Sequence, residues 1–314
     1  MQPDVSIIIA AFNAEAGIAR AIKSALAQTG ITVEVIVADD KSSDHTAAIV
    51  RTFAGDGVRL LRLPRNLGPG GARNAGLEAA TGRWVAILDS DDVMRPDRLA
   101  RMISVGTARD SQIVTDNLEV VQEGLTAGEV MFPGATLAAV PEISLADFIA
   151  SNVIFESTFN YGYMKPIFER AFVERQKLRY DETLRIGEDY TFLASALAKG
   201  GRCVVDPKPG YVYYIRKQSI SRVLEPRHVA SMLAADASFE RTHALDPAAR
   251  RAFVRRQRSL RQAASFLSLV QHLKDRAPVK AIGAALRDPA AIRHLRMPIM
   301  ARLQRLGQAS GKTP

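Results

Sequence analysis

The sequence predicts an α/β protein with a doubly wound, mostly parallel sheet and a C-terminal helical extension. Three observations carry that prediction. Strand-like and helix-like patterns alternate four times within about the first ninety residues, as in successive βα units. The strand candidates are continuous β-branched runs, expected where a strand is covered on both faces. Past Pro226 the composition shifts to Ala, Arg, Leu and Gln, all good helix formers.

In order, residues 5–10 (VSIIIA) form the first strand and residues 16–28 carry apolar side chains at helical spacing. Residues 33–38 (VEVIVA) are the second strand, and 46–53 a helix with Ser43 or Asp44 as cap. Residues 58–63 are the third strand, 71–80 a helix ended near Gly82, and 84–88 the fourth strand. From about 112 to 181 the pattern is irregular, broken by Gly124, Gly128, Pro133, Gly134 and Pro141, with one helix at 145–152. A helix at 189–199 and strands at 202–205 and 211–215 follow. The tail reads as helices broken at Pro247, Pro278, Pro289 and Pro298.

Composition narrows the function classes. The chain has 314 residues, 47% hydrophobic and 24% charged, a globular composition that excludes wholesale disorder. No apolar run approaches the roughly 18–20 residues of a membrane span, and the N-terminus does not read as a signal peptide. A single cysteine, Cys203, excludes an internal disulfide and fits a reducing compartment. The histidines His45, His228, His243, His272 and His294 are scattered, which argues against a zinc site. The net charge of +9 divides unevenly: residues 222–314 carry 18 basic and 6 acidic side chains, so the rest is slightly acidic. A basic segment suits an anionic membrane, a nucleic acid or an acidic partner.

In doubly wound sheets ligands bind at the carboxyl ends of the strands. Two acidic clusters lie there: Asp39-Asp40 with Asp44 after the second strand, and Asp89-Ser90-Asp91-Asp92 after the fourth. Each reads either as a solvated turn or helix cap, or as hard-oxygen ligation of Mg²⁺ or Mn²⁺ shared with phosphate oxygens. Between them runs Asn66-Leu67-Gly68-Pro69-Gly70-Gly71-Ala72-Arg73-Asn74-Ala75-Gly76. A dinucleotide loop would follow the first strand, so this segment argues against a nicotinamide or flavin site. Arg73, at a helix start, is placed to meet a phosphate or a base edge.

Those motifs, in order and at natural spacing, together with Val5–Asn13 (VSIIIAAFN), Pro96 and, further on, Gly187-Glu188-Asp189-Tyr190, resemble family 2 glycosyltransferases. That large inverting family has the GT-A fold, a Rossmann-like mixed sheet. Tyr213-Tyr214 through Arg216, Ser219 and Ser221 resembles the segment after the E-D helix, although the histidine frequent there is replaced by Arg216-Lys217-Gln218. Within the family the chain is most similar to bacterial exopolysaccharide glucosyltransferases of the succinoglycan type. The resemblance divides the chain into a catalytic domain at 1–221 and a basic helical extension at 222–314. Residues 1–110 of the catalytic domain are the nucleotide-sugar half and 111–221 the acceptor half.

The resemblance also implies roles. Ala10, Phe12 and Glu15 would line the nucleotide pocket, with Phe12 in place of the usual tyrosine and still able to stack on uracil. Asp40 would accept a hydrogen bond from the base, and Lys41 stands where glycine is common. Arg73, Asp89 and Ser90 would contact the donor, and Asp91 would hold Mn²⁺ or Mg²⁺ at the diphosphate. Asp189 would take the proton from the attacking hydroxyl, as an inverting transfer requires of one carboxylate; without the resemblance it is equally an acidic residue on a first helical turn.

The implied reaction moves a sugar, glucose first, from a UDP-sugar to a lipid-linked saccharide at the cytoplasmic face of the bacterial inner membrane. Transfer to lipopolysaccharide or a protein glycan is the enzymatic alternative. A non-catalytic scaffold or a nucleic-acid-binding protein is the other class, though the acidic clusters leave nucleic acid as an unexpected partner. The tail segment with Arg250, Arg251, Arg255, Arg256, Arg258 and Arg261 alongside Phe253, Leu260, Phe266, Leu267 and Leu269 reads either as a basic amphipathic helix on anionic lipid or as a helix packed on the catalytic domain.

Overall fold

Strand β1 (Val5–Ala11) is the centre of the N-terminal half. Every residue of it but Ala10 is buried, because helices cover both faces. The computed structural model describes residues 2–122, 125, 127–154, 156, 160–215 and 224–289. After β1 come α1 (Ile18–Leu26), β2 (Val33–Asp39), α2 (Thr46–Arg51), β3 (Val58–Arg62), α3 (Gly68–Ala79) and β4 (Trp84–Ile87). The four strands pair in parallel in the order β3-β2-β1-β4, so the turns after β1, β2 and β4 share one edge of the sheet.

Helix α3 lies almost on the sheet backbone. A Cβ at Gly76 would stand 2.3 Å from the Ile8 side chain, so only glycine permits that approach. The helix also begins three residues before its expected start. The cause is distant in sequence: the Asp40 carboxylate accepts the backbone N–H groups of Leu67 (2.6 Å) and Gly68 (2.8 Å) and caps the helix.

The second half turns the sheet mixed. Its elements are β5 (Val93–Met94), α4 (Arg98–Ala108), β6 (Ile113–Gln122), β7 (Glu129–Val130), α5 (Gly134–Ala138), α6 (Leu145–Ser151), β8 (Ile167–Glu169), α7 (Arg170–Arg175), α8 (Glu188–Ala198) and β9 (Cys203–Ile215). The order continues β4-β8-β6-β9-β5, with β7 on β6. Strand β8 is antiparallel to both β4 and β6, while β6 and β9 are parallel. Two departures from the sequence reading have local causes. The segment read as irregular contains β6, whose Asp116 and Asn117 are fully buried. Asp116 is held by Arg98 at 2.8 Å, and the Asn117 side chain bonds both backbone groups of Phe132. The two strands expected at 202–205 and 211–215 are one strand, β9. Pro207 and Pro209 are carried on a register shift opposite Asp116–Leu118, where ladder donors are dispensable.

Among the described residues three helices follow: α9 (Pro226–Thr242), α10 (Pro247–Lys274) and α11 (Pro278–Arg287). Phe239, Ala249, Ala252 and Phe253 belong to the same buried cluster as the sheet. Of the two readings of α10, this is the helix packed on the catalytic domain. Its Phe253, Leu260, Phe266 and Leu269 are buried within the protein. Arg256 is buried too, while Arg250 and Arg255 pair with Glu240 and Glu156. The break expected at Pro298 lies outside the described residues. No helix among the described residues is long and apolar enough to cross a membrane.

Candidate active site

The turn after β1 is fastened to the turn after β2. Asn13 N–H donates to Ser42 Oγ (2.9 Å), and Ser43 N–H donates to Asn13 Oδ1 (2.9 Å). Glu15 Oε2 accepts the His45 N–H (2.9 Å) and meets His45 Nδ1 at 2.8 Å. Its carboxyl lies below the usual range, chiefly through that backbone bond. Lys41 has φ +63°, a left-handed conformation that glycine adopts without steric cost. Phe12 projects from the turn, 52% exposed, while Ala10 is half-buried at the strand's end. Asp40 is buried with its carboxylate on the start of α3; burial pushes that carboxyl up against the two backbone bonds. A carboxylate has about four acceptor sites, and these bonds occupy two of them.

Arg73, Asp89 and Asp189 meet although they are far apart in sequence. Arg73, on the second turn of α3, reaches Asp89 Oδ1 at 2.9 Å, Glu188 Oε1 at 2.5 Å and Asp189 Oδ1 at 3.0 Å. A fourth group completes the cluster. Lys165 Nζ lies 2.8 Å from Asp89 Oδ2 and 2.8 Å from Asp189 Oδ2. The carboxylate after β4 and the carboxylate on the first turn of α8 are therefore bridged twice by cations. Burial raises the Asp89 carboxyl, but Lys165 and then Arg73 outweigh it and hold the group well below the usual carboxylate range. Burial likewise disfavours the Lys165 ammonium, and Asp189 with Asp89 more than offsets that. Glu188 is raised by burial against the pull of Arg73. Sequence reasoning missed Lys165, which lies in an irregular stretch and carries no local motif.

The Asp89–Asp92 turn is fixed from below by a second residue that sequence reasoning missed. The buried Tyr211 hydroxyl donates to Asp92 Oδ2 (2.9 Å) and accepts the Asp89 N–H (3.1 Å). Tyr214 N–H donates to Asp92 Oδ1 (2.8 Å). Burial, with Asp89 and Asp91 nearby, pushes the Asp92 carboxyl well above its ordinary value. Arg20 of α1 donates to the Asp91 carbonyl oxygen (2.5 Å) and lies 3.9 Å from the Tyr214 ring centre. Ser90 and Asp91 are half-buried on this turn. Among the described residues no three His, Cys, Asp or Glu side chains form a metal cage. Arg216, Lys217, Ser219 and Ser221 lie outside the described residues.

A mixed sheet with carboxylates and cations gathered at its strand ends makes this an α/β protein with a charged candidate active site. The chain belongs to glycosyltransferase family 2: residues 6–172 match the family model described as Glycosyl transferase family 2. It is 57% identical over 305 residues to the succinoglycan biosynthesis protein ExoO of Rhizobium meliloti (strain 1021), covering 97% of this chain and 87% of that protein. A shorter match, 36% over 129 residues, covers 41% of this chain and 51% of the Escherichia coli UDP-Glc:alpha-D-GlcNAc-diphosphoundecaprenol beta-1,3-glucosyltransferase WfgD. Among solved structures, S. aureus TarS 1-349 in complex with UDP-GlcNAc superposes with a TM-score of 0.65, covering 94% of this chain and 92% of that one at 18% identity. That likeness establishes the shared GT-A fold.

Proposed function

We propose that this chain is an inverting glycosyltransferase that moves a sugar, glucose first, from a UDP-sugar to a lipid-linked saccharide during bacterial exopolysaccharide synthesis. The observation that carries the reading is the double cationic bridge between Asp89 and Asp189. It puts the carboxylate implied in donor binding and the carboxylate implied as base around one point. Exposed Phe12 offers a stacking face to the nucleobase. Asp40 fixes the start of α3 and so the reach of Arg73. Asp189 takes the proton of the acceptor hydroxyl as that oxygen attacks the anomeric carbon. Lys165 and Arg73 orient the carboxylate and present positive charge to the departing diphosphate. ExoO and WfgD, the latter by its own substrate name, support the polysaccharide pathway and the diphosphate-lipid acceptor.

A divalent ion fits this donor set. Asp91 would offer a half-buried hard-oxygen donor on the same turn as Asp89, and Mg²⁺ commonly takes one or two carboxylates and completes its shell with phosphate oxygens. When bound, Mg²⁺ or Mn²⁺ neutralises charge growing on the leaving diphosphate. We assign the proposed membrane contact to α11 rather than α10. Val279, Ile282 and Leu286 are 82%, 60% and 75% exposed at helical spacing, beside exposed Lys274, Arg276 and Lys280. That combination suits the cytoplasmic face of an anionic bilayer.

UDP titration by calorimetry tests the site. Binding should strengthen with Mn²⁺ in the wild type and lose that dependence in Asp91→Ala. Absence of UDP binding in both conditions overturns the donor assignment. Flotation with anionic vesicles should be lost in Ile282→Asp with UDP affinity unchanged; retained flotation overturns the α11 assignment.

A further inference from the structure

Two side chains of the C-terminal helices grip the turn that carries Asp189. Arg256 of α10 is 4% exposed. Its guanidinium carbon lies 3.5 Å from the centre of the Tyr190 ring, and Tyr190 follows Asp189 directly. The same ring stacks on Phe148 of α6, 5.4 Å between centres at 14°. Arg256 Nη1 donates to the Asn152 carbonyl (2.8 Å), and Nε pairs with Asp236 of α9 at 3.2 Å. On the other side of the dipeptide, Gly187 caps α8 at φ +91°. A Cβ there would stand 3.1 Å from Met232 Cε, so α9 packs directly on the cap. Ser259 Oγ accepts the Ile154 N–H (3.1 Å), tying α10 to the chain that leads toward Lys165.

Hydrophobic burial alone does not call for this arrangement. A methionine would fill similar space, and a buried ion pair is a poor source of stability beside a packed apolar group. A planar guanidinium laid on a ring and forked between Asp236 and Asn152 fixes orientation instead. We infer that Arg256 is a positioning residue for the transfer step: it holds Tyr190, and through it the first turn of α8, where Asp189 meets Arg73 and Lys165. The basic C-terminal helices are thereby part of the catalytic unit. The inference rests on the glycosyl-transfer reading above.

The test uses the full chain with Arg256→Met and Arg256→Lys. The lysine keeps the charge opposite Asp236 but loses the planar contact with Tyr190, so it serves where the methionine variant fails to fold. Two readouts are taken: UDP release from UDP-glucose with a polyprenyl-diphosphate-linked saccharide, and amide hydrogen exchange. Arg256→Lys should lower kcat about 10- to 100-fold, the scale of a misplaced catalytic group. The KM for UDP-glucose should stay within about twofold. Amides 188–192 should exchange at least about tenfold faster, with 68–79 unchanged, since a loosened turn opens locally. Wild-type kcat with wild-type protection at 188–192 overturns the inference. So does loss of protection at both segments, which marks general destabilisation. A wild type that releases no UDP refutes the transfer reading, while exchange at 188–192 still decides whether Arg256 holds the turn.

Discussion

Lys165→Met removes the ammonium between Asp89 and Asp189 while keeping most of the side-chain volume. In the native site Lys165 is nearly buried, and the two carboxylates are about a quarter exposed. Stripping one partner from a buried ion pair costs about 3–5 kcal/mol. Arg73 remains 2.9 Å from Asp89 and 3.0 Å from Asp189, and water reaches both, so the loss should fall to about 2–3 kcal/mol. At about 2 cal/mol/K of unfolding entropy per residue, the 314-residue chain should melt about 3–5 °C lower. Thermal denaturation followed by circular dichroism reads this directly. Adding Asp189→Asn removes one of the repelling carboxylates, so the double variant should recover about 1–2 kcal/mol relative to additivity. Transfer by Lys165→Met should fall about 10- to 100-fold, because the base loses one of its two anchors. A variant that melts within about 1 °C of the wild type and keeps its full rate would refute the bridged-carboxylate account.

Three further outcomes follow from other parts of the fold. Gly76→Ala should cost about 1–3 kcal/mol in urea unfolding at unchanged m-value, since its Cβ meets the buried Ile8 at 2.3 Å; equal stability would mean that α3 lifts from the sheet without penalty. Cys203 is fully buried, and burial pushes its thiol up to about 12, so a thiol reagent at pH 8 should react only on unfolding; reaction in the folded protein would contradict that burial. Glu34 accepts from Ser6 Oγ (2.6 Å) and from Thr81 N–H and Oγ1 (2.7 Å each). Burial raises its carboxyl, and these bonds together bring it below the usual value. A depressed carboxyl adds stability that is present above the unfolded value, about 4.3, and lost as pH falls through the folded one. The stability gap between wild type and Glu34→Gln should therefore be present at pH 7 and close below about pH 4. A pH-independent gap would refute that linkage.

The N-terminal half was legible in the sequence because its signals are local. Continuous apolar runs such as Ile7-Ile8-Ile9 mark doubly covered strands, and the turns between them carry their acidic residues within a few positions. The second half was not, because its polar residues are satisfied over long range. Asp116 inside β6 depends on Arg98, and Asn117 on the Phe132 backbone, so a window containing Thr-Asp-Asn does not look like a buried strand. Strand β8 has three residues, too few for a period to show. Strand β9 carries two prolines that argue against a strand unless the bulge is known.

The site divides along the same line. Asp89 and Asp189 were found as members of short motifs, but their meeting depends on residues that no motif carries. Lys165 sits alone before Pro166, and Tyr211 looked like one more apolar strand residue. Asp40 shows why a motif underdetermines a role. Its carboxylate, singled out as a nucleobase contact, also caps α3 from 27 residues away, which sets where that helix begins and on which turn Arg73 stands. A slip of the α3 register by one residue would rotate Arg73 by about 100° around the helix axis, away from Asp89, Glu188 and Asp189, and the Asp40 cap, with Gly76 seated on Ile8, opposes that slip. A substitution at Asp40 would thus reach the donor pocket and the base together, by a route that no inspection of the Asp-Asp turn in isolation discloses.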